Sequence, residues 1–170
     1  MKSPFTIPFV GLKLGLHEFE FEIDKSFFET LPFSLIEDGL LKAYLGLEKK
    51  ETMLIANLGI EGHIYTSCDR CTDDLIQQID GELTLYYTFG EEESEDENLI
   101  ILPLESYQID IAQPLYELIS LSMPSKLVHD NAQCNEEMVA LLSKYQQPVK
   151  SEKDKDQEID PRWSALKNLN

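Results

Sequence analysis

Positive charge is scarce in this chain. Only 14 of its 170 residues are Lys or Arg, against 32 Asp or Glu, so the formal net charge is −18. Arginine is rarer still, with Arg70 and Arg162 alone. Wide contact with a phosphate backbone needs clustered Lys and Arg, and an acidic field repels nucleic acid at long range. Broad direct nucleic-acid binding is therefore not expected, and basic proteins or cations are the natural partners. Cysteine is also sparse, at three, and Gly and Pro number eight each, which excludes disulfide-dense and collagen-like classes. No apolar run approaches the ~18 residues that a membrane-spanning helix requires. Pro4, Pro8, Gly11 and Lys13 interrupt the N-terminal segment, so no signal peptide is expected. An odd cysteine count that includes a C-x-x-C pair suits a reducing compartment. A cytoplasmic protein without a membrane partner is the expectation.

What is present reads first as strands. Phe19, Phe21 and Ile23 alternate with Glu18, Glu20 and Glu22, a period of two with one aromatic and one carboxylate face. A short helix is predicted over 25–30. Leu41, Ala43, Leu45 and Leu47 alternate again, and 48–51 forms a polar turn of hairpin length. Leu54, Ala56, Leu58, Ile60 and Ile64 share one parity up to Cys68. Leu75, Ile79, Leu83, Leu85, Tyr87 and Phe89 follow past Cys71. Long alternating runs with short turns argue for antiparallel pairing. The segment EEESEDE at 91–97 holds six of the 32 acidic residues and nothing aliphatic, so a solvated loop over 90–98 is predicted. Asp110 with Gln113 has capping-box spacing, ahead of an apolar stripe of Leu115, Leu118 and Ile119. A further helix is predicted from about Asn135, with Met138, Leu141, Leu142 and Tyr145 as its stripe.

The expected fold class is α+β. An antiparallel β-sheet or partly closed barrel occupies the N-terminal two thirds, followed by two or three short helices. Residues 1–146 are expected to form a single domain, 147–158 a flexible polar linker, and 159–170 a terminal helix. In that last segment Asp160 suits an N-cap and Pro161 the first helical position. Trp163, Leu166 and Leu169 would share one face.

One local motif stands out for chemistry. Cys68-Asp69-Arg70-Cys71 sits on a turn between two strands, where two thiolates three positions apart can share one metal. Zinc wants four such ligands, commonly as two separated pairs. The second pair is broken here: Cys134 is the remaining cysteine, and His129, five residues before it, completes an arithmetic set of Cys68, Cys71, Cys134 and His129. Free buried thiols compete with this reading and are favoured over it. A redox dithiol ranks last, because no thioredoxin-like pattern surrounds the pair. No resident cofactor is expected, with zinc the one metal the residues could hold. His17 and His63 are isolated, and no G-x-S-x-G, H-E-x-x-H or P-loop occurs. The reading is not that of an enzyme.

The order of these features resembles the YceD family, a domain of unknown function. The resemblance covers roughly residues 10–170. It rests on the C-x-R-C turn after a long alternating run, the acidic loop, and the Ile109-Asp110-Ile111 start of a helix that runs into Leu121-Ser122-Met123-Pro124. A cysteine-containing segment and a terminal Asp160-Pro161-Arg162-Trp163 complete the order. The resemblance implies a non-enzymatic protein linked to accumulation of 23S ribosomal RNA, hence to large-subunit assembly. It implies a ribosomal protein or pre-ribosomal particle as partner. It also implies a second cysteine pair, which this chain retains only as Cys134. By position, Arg70, Asp160, Pro161, Arg162 and Trp163 match the family's motifs and are the expected interaction residues. A thiol- or zinc-containing interaction module unrelated to ribosomes, tied to fatty-acid synthesis, is the alternative.

Overall fold

The computed structural model describes residues 4–91, 95–130 and 133–145, and the fold divides after Cys134. The part up to Cys134 is α+β, as the alternation predicts. Its first strand, β1 (Thr6–Pro8), is short. Five further strands form one open sheet: β2 (Gly15–Ile23), β3 (Asp38–Lys49), β4 (Met53–Ser67), β5 (Asp74–Phe89) and β6 (Leu99–Leu102), in the order β2-β3-β4-β5-β6. The last strand, β7 (Gln108–Asp110), pairs antiparallel with β1 in a separate two-stranded sheet. The large sheet ends in two edges, β2 and β6, and does not close into a barrel.

β2 to β5 form an antiparallel meander, and β6 departs from it by running parallel to β5, from Tyr86↔Leu99 to Phe89↔Leu102. A parallel neighbour requires the chain to travel back along the strand it has just left. The pairing is only four residues deep, about 13 Å of return, and the acidic segment 90–98 is long enough to cover it. The segment thus connects two parallel strands as well as carrying charge.

The period-two pattern sorts the residues as expected. Leu41, Ala43, Leu45 and Leu47 of β3 and Leu54, Ala56, Leu58, Ile60 and Ile64 of β4 are all buried on one face. On the other face Glu18, Glu20, Glu22, Glu61, Asp80 and Glu82 stay exposed. Helix α1 (Lys25–Glu29) lies against β3 and buries Phe27 and Phe28. It begins where Asp24 accepts the Ser26 N–H at 2.9 Å. Helix α2 (Ala112–Ser122) lies against β4 and β5 through buried Leu115, Leu118 and Ile119. Full burial of one such side chain stabilises the fold by about 1.5–3 kcal/mol.

The start of α2 differs from the capping-box expectation. The N-cap position is Ile111, which offers no side-chain acceptor. Asp110 belongs to β7 and takes the Ala112 N–H at 2.9 Å, while the Gln113 amide donates to Glu117 at 2.9 Å and does not turn back to the backbone. Pairing of Asp110 with Thr6 sets the helix start one residue later than the spacing suggests.

After the division, α3 (Glu136–Tyr145) starts where the sequence places it, with Asn135 accepting the Glu137 N–H at 3.1 Å. None of its residues is buried. The linker over 147–158 and the segment over 159–170, including Asp160, Pro161, Arg162 and Trp163, lie outside the described residues. No described helix is long and apolar enough to cross a membrane.

Candidate metal centre

The centre begins where β4 gives way to β5. Residues 68–73 reverse the chain through two backbone bonds: Cys68 N–H to the Asp73 carbonyl and Thr72 N–H to the Cys68 carbonyl, each 2.8 Å. Thr72 adopts φ +63°, the left-handed region, which costs a β-branched residue on the order of 1 kcal/mol or more. The turn aims both cysteines inward, leaving Cys68 1% and Cys71 0% exposed.

The second half of the centre comes from the segment after α2. Asp69 grips it at Leu127 from both sides: the Asp69 N–H donates to the Leu127 carbonyl at 2.6 Å, and the Asp69 carboxylate accepts the Leu127 N–H at 2.7 Å. Two residues further on lies His129. The Gln133 N–H donates to the Asp130 carbonyl at 2.8 Å, and Cys134 follows directly.

The result is a compact four-ligand set. Cys68 Sγ, Cys71 Sγ, Cys134 Sγ and a His129 ring nitrogen all lie within 4.8 Å of one another. Cys68 Sγ is 3.9 Å from Cys134 Sγ, and His129 Nδ1 is 3.4 Å from Cys71 Sγ and 4.0 Å from Cys134 Sγ. A tetrahedron with metal–sulfur bonds near 2.3 Å and a metal–nitrogen bond near 2.0–2.1 Å has edges of about 3.8 Å between sulfurs and about 3.6 Å between sulfur and nitrogen. Three of the separations, 3.9, 3.4 and 4.0 Å, lie within a few tenths of an ångström of those edges. The four residues lie close enough to bind a metal, and the donor set of three thiols and one imidazole is one that zinc accepts.

The surroundings act on the ligands in both directions: they orient His129 and favour the Cys68 thiolate, but they hold protons on His129 and Cys134 that a metal would have to displace. His129 Nε2 lies 2.9 Å from the Asp74 carbonyl, which fixes the ring and leaves Nδ1 with its lone pair toward the sulfurs. Burial pushes the Cys68 thiol up, but the amides of His129, Cys71 and Arg70 outweigh it and bring the thiol down to about 6. The thiolate form of Cys68 is thereby favoured. The Asp74 carbonyl and then Cys71 raise His129 above the ordinary imidazole value, whereas burial and the neighbouring thiols raise Cys134. Arg70 lies half-buried with its Nη1 3.9 Å from Cys134 Sγ, so its charge faces the thiol cluster.

Of the residues singled out from sequence, Cys68, Cys71, His129 and Cys134 come together, with Arg70 beside them. His17 contacts the Lys13 carbonyl and His63 the Tyr65 hydroxyl, both apart from the centre. In the sequence Asp69 and Asp74 lie close to Arg70 as acidic neighbours. Their positions inside and just after C-x-x-C were the available signal for a supporting role; nothing in the sequence marks Leu127.

A family model described as large ribosomal RNA subunit accumulation protein YceD matches residues 56–170, more than half of the chain and all four candidate ligands. No curated protein and no solved structure matches.

Proposed function

This chain belongs to the YceD family, and we propose that it is a cytoplasmic, non-enzymatic factor supporting large ribosomal subunit assembly and 23S ribosomal RNA accumulation through protein contacts. The family match carries the ribosomal part of this reading. The net charge of −18 supports the protein-mediated route, because such a field attracts basic proteins and repels RNA. Two experiments test it. Removing the protein from cells should lower 23S relative to 16S RNA. Pull-down of the protein with and without RNase should retain at least one large-subunit protein after digestion; loss of every ribosomal protein on RNase treatment would count against direct protein contact.

We further propose that zinc is held by Cys68, Cys71, Cys134 and His129. Bound there it would be structural, because four protein ligands fill a tetrahedral shell and leave no position for substrate. This reverses the preference for free thiols drawn from the broken second pair, and the closeness of the four ligand atoms supports it. The centre would tie the β4–β5 turn to the segment around Leu127. Asp69→Ala removes the carboxylate half of that tie without touching a ligand. It should weaken zinc affinity about tenfold, read by competition with a chromogenic chelator. Unchanged affinity would mean that the Asp69 clamp does not help form the centre.

A further inference from the structure

Beside the centre, the strand ends that flank the turn, at Ser67 and Asp74, and the same segment, at Leu127, border a cavity of about 840 Å³. Its size falls within the ~300–1,000 Å³ of ligand pockets and leaves room for more than one side chain. Buried Ile64 contributes to its apolar wall, Met123 and Leu127 line another side, and Leu35 and Ile76 stand at it, 91% and 61% exposed. Large apolar side chains left uncovered around a concavity mark a binding surface more often than a bare one. The charged lining is of one sign: among the described residues Glu37, Asp38 and Asp74 border the cavity, and no Lys, Arg or His does.

That combination selects an occupant. A second copy of this chain would bring carboxylates against carboxylates, and an anionic lipid surface or an RNA would meet the same repulsion. A segment with apolar side chains flanked by positive charge satisfies both parts of the lining. We propose that this cavity is the docking site for a short segment of a basic protein, in which one or two large apolar side chains enter between Ile64, Ile76 and Met123 while flanking Lys or Arg residues meet Glu37, Asp38 and Asp74. The proposal rests on the protein-contact reading above and names the surface and the partner chemistry for it. The position of the cavity links docking to the centre, since Asp69 holds Leu127 and the His129 ring holds the Asp74 backbone.

The test uses the full chain, isotopically labelled for amide NMR. The probe is a synthetic hexapeptide with two leucines between paired arginines. Shift changes should concentrate at 36–38, 64–67, 74–76 and 123–127. Ile76→Glu and Leu35→Glu, both at exposed positions and each checked by an unchanged melting temperature, should weaken binding at least tenfold. A peptide with glutamines in place of the leucines should lose as much, and one with glutamates in place of the arginines should not bind. Equal binding of the glutamine peptide, equal binding to Ile76→Glu, or shifts centred on the acidic residues around 91–97 would overturn the proposal. A cellular arm separates this failure from that of the parent reading. If loss of the protein lowers 23S RNA but Ile76→Glu does not, the docking site is wrong and the ribosomal role stands. If loss of the protein leaves 23S RNA unchanged, the ribosomal reading fails, and the peptide titration decides the cavity by itself.

Discussion

Cys68→Ser is expected to lower the melting temperature of the full chain by about 10 °C or more, and stripping zinc from the unaltered protein with a chelator should produce the same drop. With free zinc at about a thousand times its dissociation constant, binding to the folded state alone adds about 4 kcal/mol. At roughly 2–4 °C per kcal/mol for a chain of this size, that is about 8–16 °C. The substitution removes the sulfur that accepts the Arg70 and His129 amides and stands 3.9 Å from Cys134, so three other parts of the centre lose their partner at once. The diagnostic feature is non-additivity: the chelator should have no further effect on the variant, because both perturbations remove one metal. A chelator that lowers both proteins equally would show that it acts elsewhere. A wild-type melting temperature insensitive to chelation would show that the fold does not depend on metal.

Gly62→Ala should destabilise the protein by about 3 kcal/mol or more, measured by the urea midpoint at constant slope. Gly62 sits in the middle strand β4 with φ +148°, paired with Leu41 on one side and Ile79 on the other. A Cβ there would stand 2.7 Å from the Leu41 Cα and overlap the Leu40 carbonyl oxygen. Both obstacles are backbone atoms of a neighbouring strand, so no rotamer change relieves them. Positive φ strain and overpacking each cost about 1–3 kcal/mol. Gly59 gives the internal control: it lies in the same strand, and a Cβ there meets nothing within 4 Å. Gly59→Ala should shift the midpoint far less, by no more than about 1 kcal/mol. Equal effects at the two positions would contradict the close-approach explanation.

The strands were legible because burial on one face of a sheet imposes a period of two, and this chain keeps it over long stretches. Leu41 to Leu47 and Leu54 to Ile64 read inward in the sequence and are inward in the fold. The direction of β6 was not legible. Leu99–Leu102 is a short apolar run whose side chains are all half-buried, and its parallel pairing depends on how the acidic segment returns the chain. The helix stripe of α2 was readable, but its cap was not, because Asp110 is drawn into β7 by pairing with Thr6 at the far end of the sequence. In the same way Gly62 occupies an inward position of a strand pattern, and a glycine there was a sign of close backbone approach that the alternation alone does not interpret.

For the centre, spacing identified Cys68 and Cys71 as a pair, and simple counting supplied Cys134 and His129. What spacing could not supply was the encounter of segments some 60 residues apart. That encounter depends on Asp69 and Leu127, a backbone bond and a carboxylate bond that leave no residue-type signature at Leu127. The choice of Nδ1 as the inward nitrogen likewise follows from the Asp74 carbonyl, a main-chain acceptor that any residue at that position would provide. The cavity beside it was invisible for a similar reason: Leu35, Ile76 and Met123 come from three separate stretches of the chain and read as ordinary apolar residues.

The most direct test is the metal content of the full chain, purified without added zinc or chelator and measured by inductively coupled plasma mass spectrometry against protein concentration. The proposed four-ligand centre predicts about one zinc per chain, falling to background in Cys68→Ser. Less than about a tenth of a zinc per chain, or equal zinc in the wild type and the variant, would contradict a centre built from Cys68, Cys71, His129 and Cys134.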